Sequence, residues 1–239
     1  MPKQRLDQAL VSRGLVTTRS QGESYVKLGK VTVNGRVDTK AGTMVNDEAV
    51  VKLTATEQYV SRAGLKLASI AQTLKLDFRA KTVLDIGSST GGFTDYALQH
   101  GATKVLAVEI GTNQLHPSLR GDSRIELHEK TDIRNFKTIE QIDIVVADVS
   151  FISLRELLPS IAKLVTPATQ LALMVKPQFE AGASNLKHKG VIKNDKIRRQ
   201  ILKDFEDWAL RSFSIQDKAD SEVAGAKGNR ERFYLVKKL

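Results

Sequence analysis

The chain has 239 residues, 41% of them hydrophobic and 27% charged, which are globular proportions and exclude wholesale disorder. It contains no cysteine, which excludes a disulfide scaffold, a thiolate metal centre and a cysteine nucleophile. Its 37 basic against 27 acidic residues leave a net charge of +10, an excess that suits a polyanionic partner. No run reaches the ~20 apolar residues that span a bilayer, and the N-terminus lacks an apolar signal core. The expectation is a soluble, cytoplasmic protein with no membrane contact. The length suits one small domain followed by a medium one.

The charge is uneven. Residues 1–40 carry eight Lys/Arg against three Asp/Glu, and residues 181–200 carry six against Asp195 alone, so each run is +5 and the remainder cancels. Aromatics are only 5%, which favours contact with backbone phosphates over base stacking as the main binding mode.

Leu6, Leu10, Val11 and Leu15 have helical spacing, and Gly14 suits a helix end. Thr17 or Thr18 suits the cap of a second helix running to about Leu28, with Gly29 as its stop. Val31–Val33 reads as a strand, Asn34-Gly35 as a two-residue turn, and Ala49–Leu53 as a further strand. Arg5, Arg13, Arg19, Lys27, Lys30 and Arg36 punctuate this unit and are its candidate RNA-binding residues. The ordered set Arg5-Leu-Asp7, Gly14, Thr18-Arg-Ser20, Leu28-Gly-Lys-Val31 and Val33-Asn-Gly35 resembles the S-four RNA-binding domain. The resemblance implies a basic RNA-facing surface on the paired helices. The domain is placed at 1–54, a linker at 55–60, and a second domain at 61–239.

From residue 80 strands and helices alternate. Strands are expected at Thr82–Ile86, Val105–Glu109, Ile125–His128, Ile142–Ala147 and Leu171–Val175. Helices are expected at Phe93–His100, Leu154–Leu164 and Lys193–Phe213. Alternation predicts an α/β fold with a mainly parallel, Rossmann-like sheet, which binds ligands at the carboxyl ends of its strands. Asp85, Glu109, Asp132, Asp148 and Lys176 all fall at or just past such ends.

The turn after the first of these strands is Gly87-Ser-Ser89-Thr-Gly91-Gly92, which lacks the second glycine of a dinucleotide fingerprint and so disfavours a nicotinamide enzyme. It resembles the first motif of class I methyltransferases that use S-adenosylmethionine. In such a site Glu109 would accept the ribose hydroxyls. Five segments recur in order: Ser61-Arg-Ala-Gly-Leu-Lys66-Leu, Asp85 to Asp95, Ala147-Asp148-Val-Ser-Phe-Ile-Ser153, Val175-Lys176-Pro-Gln-Phe-Glu180 and Gly228-Asn-Arg-Glu231. They resemble the haemolysin A, or TlyA-type, family, in which an S-four domain precedes an FtsJ-like 2′-O-ribose methyltransferase.

The resemblance implies methylation of cytidine 2′-hydroxyls in ribosomal RNA of one or both ribosomal subunits. It implies a catalytic set of Lys66, Asp148, Lys176 and Glu231, and no metal. The implied cofactor set is Asp85, Gly87, Ser89, Gly91, Gly92, Phe93, Glu109, Asp132 and Asp148. Lys176 would polarise the hydroxyl or take its proton; a lysine does the latter only when burial or a neighbouring cation such as Lys66 favours its neutral form. Ala63 stands where the family usually has glycine, Gln114-Leu-His-Pro replaces an aromatic-basic stretch, and the segment after Gly182 is short for the pattern. Two other readings remain: a non-enzymatic ribosome-assembly factor with a vestigial methyltransferase fold, and a membrane-active haemolysin.

Overall fold

The computed structural model describes residues 3–181, 190–225 and 228–239. The N-terminal unit runs β1 (Gln4–Arg5), α1 (Leu6–Ser12), α2 (Arg19–Lys27), β2 (Val31–Val33), β3 (Arg36–Val37), β4 (Met44–Val45) and β5 (Val51–Leu53). Strands β3-β2-β5 form one antiparallel sheet and β1-β4 a separate ribbon. Asn34 and Gly35 take φ of 51° and 79°, the mirror-image turn that their sequence predicts. Thr18 caps α2, its hydroxyl accepting from Gln21 N at 3.2 Å. Leu6, Ala9 and Leu10 of α1 and Tyr25 and Val26 of α2 supply the buried faces.

The segment expected to be a plain linker is packed from both sides. Gln21 Nε2 donates to Tyr59 O at 2.6 Å and Tyr25 OH to Glu57 O at 3.4 Å. From the other side, Gln99 Nε2 donates to Gln58 O at 3.0 Å, and Val60 N donates to Asp95 Oδ2 at 2.7 Å. Tyr59 is buried against Tyr96, with ring centroids 5.3 Å apart.

The rest of the chain runs α3 (Arg62–Ala71), β6 (Thr82–Ile86), α4 (Gly92–Gln99), β7 (Lys104–Val108), β8 (Ile125–His128), β9 (Ile144–Ala147), α5 (Leu154–Ile161), β10 (Gln170–Val175), α6 (Pro177–Glu180), α7 (Asp195–Ala209), β11 (Phe213–Asp220) and β12 (Arg232–Lys238). Seven strands form one sheet in the order β11-β12-β10-β9-β6-β7-β8, parallel except for β12, which is antiparallel to both neighbours. Side chains alternate across it. Val83, Val105, Ile144 and Val146 join one apolar cluster with α3, α4 and the N-terminal unit. Leu84, Leu106, Val145 and Ala147 join the other, with α5 and α7.

The sequence reading did not anticipate α3 or the β11–β12 hairpin. The helix expected to reach Phe213 stops at Ala209, and Phe213 opens β11, where it is buried. Phe233, Tyr234, Leu235 and Val236 of β12 are all buried, so the strand lacks the alternation that marks a half-exposed one. The short stretch after Gly182 lies outside the described residues.

Candidate active site

Chain connections leave β6 toward β7 and β8 on one side and return to β9 on the other. The crevice at the carboxyl ends of β6 and β9 is therefore the switch point where such sheets bind ligands. Asp85 lies in β6, while Glu109, Asp148 and Lys176 each follow directly on β7, β9 and β10. Because β12 is antiparallel, its beginning rather than its end lies beside the end of β10, with Arg232 opposite Val175. That register delivers Glu231 to the same edge.

Lys66 arrives from α3, which sits on the start of α4 through two glycines. A Cβ on Gly92 would stand 2.3 Å from Ser61 Oγ and 2.7 Å from Ala63 Cβ, and one on Gly64 would stand 2.5 Å from Tyr59 Cβ. The alanine at position 63 is accommodated because Gly92 has no side chain.

Four side chains then form one chain of alternating charge. Lys66 Nζ lies 2.6 Å from Glu231 Oε2 and 3.9 Å from Asp148 Oδ2; Lys176 Nζ lies 2.5 Å from Asp148 Oδ1 and donates to Ser150 Oγ at 2.7 Å. Lys66, Lys176 and Glu231 are buried. Asp148 is half-buried, and the four charges sum to zero, which offsets the cost of taking such groups out of water. Glu180, in the same segment as Lys176, accepts from Ser153 Oγ at 2.6 Å and Leu154 N at 2.7 Å. It ties α6 to the start of α5 and so fixes the two loops that carry Lys176 and Asp148. Burial raises the Glu180 carboxyl above its usual range despite those donors.

Two hollows of about 580 and 530 Å³ flank Asp148 and share Gly87, Ser89, Ser150 and Phe151 in their walls. The first holds the four charged residues; the second holds Glu109 and Asp132.

A model for FtsJ-like methyltransferases matches residues 59–239, and one for the S4 domain matches residues 4–51. The chain belongs to the FtsJ-like methyltransferase family. It is 43% identical over 181 residues to the 23S rRNA (cytidine-2'-O)-methyltransferase TlyA of Campylobacter jejuni, covering 74% of this chain and 70% of that one. It is 35% identical over 242 residues to the 16S/23S rRNA (cytidine-2'-O)-methyltransferase TlyA of Mycobacterium tuberculosis, covering 98% and 89%. It is 36% identical over 237 residues to Hemolysin A of Brachyspira hyodysenteriae, covering 97% and 98%.

The methyltransferase's first hollow also presents buried polar groups with no protein partner among the described residues. Asp85 Oδ1 and the hydroxyls of Ser61 and Ser88 are buried without a hydrogen-bond partner, and all three residues line the first hollow. The other Asp85 oxygen accepts from Thr94 Oγ1 at 2.6 Å. Burial first, then the Asp148 and Glu109 carboxylates, push the Asp85 carboxyl up to about 7 against that hydrogen bond. Glu109 accepts from Ser89 N at 2.9 Å and Gly111 N at 2.7 Å, which aims it into the second hollow. Asp132 lines that hollow and is held by Arg134.

Of the nine residues expected at the cofactor, seven line the hollows and two do not. A Cβ on Gly91 would meet Leu119 and Leu115 at 2.6 and 2.7 Å, and Gly92 packs on α3, so both glycines serve packing. Gly87, at φ 77°, approaches Asp148 O, which a Cβ would reach at 2.8 Å. Its requirement is thus for the β6–β9 approach as well as for a ligand. Two contributors escaped the sequence reading as separate residues. Ser150 holds Lys176. Phe151, at φ 67° and 91% exposed, stands 5.3 Å from the Phe179 ring at the crevice mouth.

The six expected RNA-binding residues divide into three groups. Lys30 and Arg36 are exposed, and Lys27 is exposed but paired to Glu23 at 2.6 Å. Arg13 donates to Ala49 O at 2.5 Å and Asn46 O at 2.9 Å, clipping α1 to the turn before β5. Arg5 and Arg19 both bind Asp7.

Proposed function

We propose that this methyltransferase transfers a methyl group from S-adenosylmethionine to the 2′-hydroxyl of a cytidine in ribosomal RNA. The observation that carries the reading is the buried Glu231–Lys66–Asp148–Lys176 chain at the mouth of a class I crevice. A hydroxyl is a weak nucleophile at neutral pH, and the chain's residues answer that by positioning it and handling its proton. Lys176 Nζ takes the substrate oxygen in place of its present partner Ser150 Oγ; as an ammonium it polarises the hydroxyl, and it receives the hydroxyl proton late in the step only after giving up one of its own. Asp148 anchors Lys176, and Lys66, held by Glu231, shares the same Asp148 carboxylate. Asp85, Ser61 and Ser88 suit the polar methionyl end of the cofactor, and Glu109 the ribose hydroxyls. When bound, the cofactor supplies an electrophilic methyl group on a sulfonium that is already a good leaving group. Exposed Phe151, beside half-buried Phe179, suits a base turned out of its helix.

The relatives named as rRNA (cytidine-2'-O)-methyltransferases support the substrate class. The relative named Hemolysin A keeps a membrane reading in view, but among the described residues no helix is long and apolar enough to cross a bilayer. The filled tetrad disfavours a vestigial enzyme. The test is transfer of tritiated methyl to separated ribosomal subunits followed by alkaline hydrolysis. Label in alkali-resistant dinucleotides carrying cytidine supports the reading; label in ordinary mononucleotides means a methylated base and overturns it.

A further inference from the structure

Asp7 is fully buried in a unit whose excess charge is positive, and it holds two arginines at once. Arg5 grips it with both ends of its fork, Nε to Oδ1 at 3.0 Å and Nη2 to Oδ2 at 2.9 Å; Arg19 Nε donates to Oδ2 at 2.9 Å. The three residues come from three elements whose backbones are fixed. Arg5 pairs with Met44 in the β1–β4 ribbon, Leu6 N and Asp7 N donate to Thr43 O and Ala41 O, and Arg19 opens α2 behind the Thr18 cap. The carboxylate therefore draws two guanidiniums onto one point while their side chains stay 40% and 57% exposed. Among the described residues no hydrogen bond engages Nη1 of Arg5, which lies beside Gly42, or either Nη of Arg19. One negative charge against two positive leaves the group cationic. Thr18 and Ser20, the residues on either side of Arg19, line the same hollow as Lys66, Asp148 and Lys176.

We propose that Asp7 is the organising centre of a phosphate clamp: it holds Arg5 and Arg19 side by side so that their free N–H groups grip one phosphodiester of the strand entering the catalytic hollow. The inference rests on the reading of the N-terminal unit as RNA-binding. Two loose arginines repel each other and lose rotamer freedom on binding. A shared carboxylate removes both costs before RNA arrives, and the guanidinium fork matches phosphate oxygens. Asp7 is thus a positioning residue that touches no RNA itself.

The clamp has a sign that simple charge counting reverses. Removing an acidic residue from an RNA-binding surface ordinarily tightens binding; here Asp7→Asn should weaken it about three- to tenfold, by loss of pre-organisation. The probe is deproteinised ribosomal RNA, bound to the full chain on filters across a salt series, with melting temperature as the check on folding. The salt slope of Asp7→Asn should shrink by about 1, one phosphate contact. Arg19→Lys keeps the charge at an exposed position, loses the fork, and should weaken binding by a similar factor. It decides alone if Asp7→Asn fails to fold. Tighter or unchanged binding by Asp7→Asn, or parental affinity in Arg19→Lys, overturns the clamp. The double variant Arg5→Gln/Arg19→Gln separates the two levels. If it weakens binding while Asp7→Asn does not, the RNA reading stands and the clamp falls. If it binds like the parent, this face is not the RNA contact and both fall.

Discussion

Two sets of alternating charges organise this molecule, and they are built on opposite terms. At the sheet edge, two lysines and two carboxylates cancel; three of the four are buried and Asp148 is half-buried, facing the hollow. At the N-terminal helices, two arginines share one carboxylate, stay half in solvent and keep a surplus charge. The balanced, mostly buried set can steer a proton, because little solvent screens the groups from one another. The open surplus set can attract a polyanion but is screened by salt. The difference separates chemistry from contact, and variants should separate likewise.

The sharpest break is at Lys176. Lys176→Ala should lower methyl transfer by about 10²–10⁴-fold, the usual worth of general-base help, with cofactor and RNA affinity nearly kept. Single-turnover rates with saturating subunits, beside separate binding titrations, would show this. A proportional loss of binding would make Lys176 a contact and dissolve the distinction. Next, Glu109→Ala removes a charged acceptor and should weaken cofactor binding roughly ten- to a hundredfold, about 1.5–3 kcal/mol, by calorimetry. RNA affinity should not follow. Arg13 sharpens the comparison from the other side. Although basic, it is spent on two main-chain carbonyls, so Arg13→Ala should cost about 1–3 kcal/mol of stability in a thermal melt while changing RNA affinity little.

The smallest effect is a pH dependence. The Asp85 carboxyl is raised from 3.8 to about 7 in the folded chain, so the folded state holds a proton that the unfolded state has released between those values. Its contribution is full below about 4 and is lost as pH rises through about 7. Asp85→Asn should flatten that part of the melting-temperature profile, and an unchanged slope would count against a protonated Asp85.

Much of this was legible in the chain. Strands β6, β7 and β9 are legible as apolar runs containing valine or isoleucine and β10 as a plain apolar run, and charged residues at or just beyond their ends pointed to the candidate site. The Asn34-Gly35 turn followed from local chemistry alone, and so did a cap at Thr17 or Thr18, of which the fold uses Thr18. What stayed hidden depended on long-range pairing. Nothing local shows that Arg232 lies opposite Val175, which is what brings Glu231 to the crevice. Arg13 reads like any basic surface residue until the carbonyls of Asn46 and Ala49, far along the chain, are placed before it. Gly91 and Gly92 look like a ligand cradle but are needed for helix packing, because a motif records which positions must be bare and not what presses on them.

The packed segment between the two units has a consequence for choosing a target. Gln21 and Tyr25 hold it on one side, Asp95 and Gln99 on the other, so it acts as a spacer of fixed length. On the reading proposed above the enzyme is a caliper: the N-terminal unit would rest on RNA backbone, the sheet edge would carry the reacting groups, and the gap between them is set by the fold. A nucleotide would then be picked out by lying at that span on a folded RNA surface, a selection by distance and shape that precedes any reading of base edges.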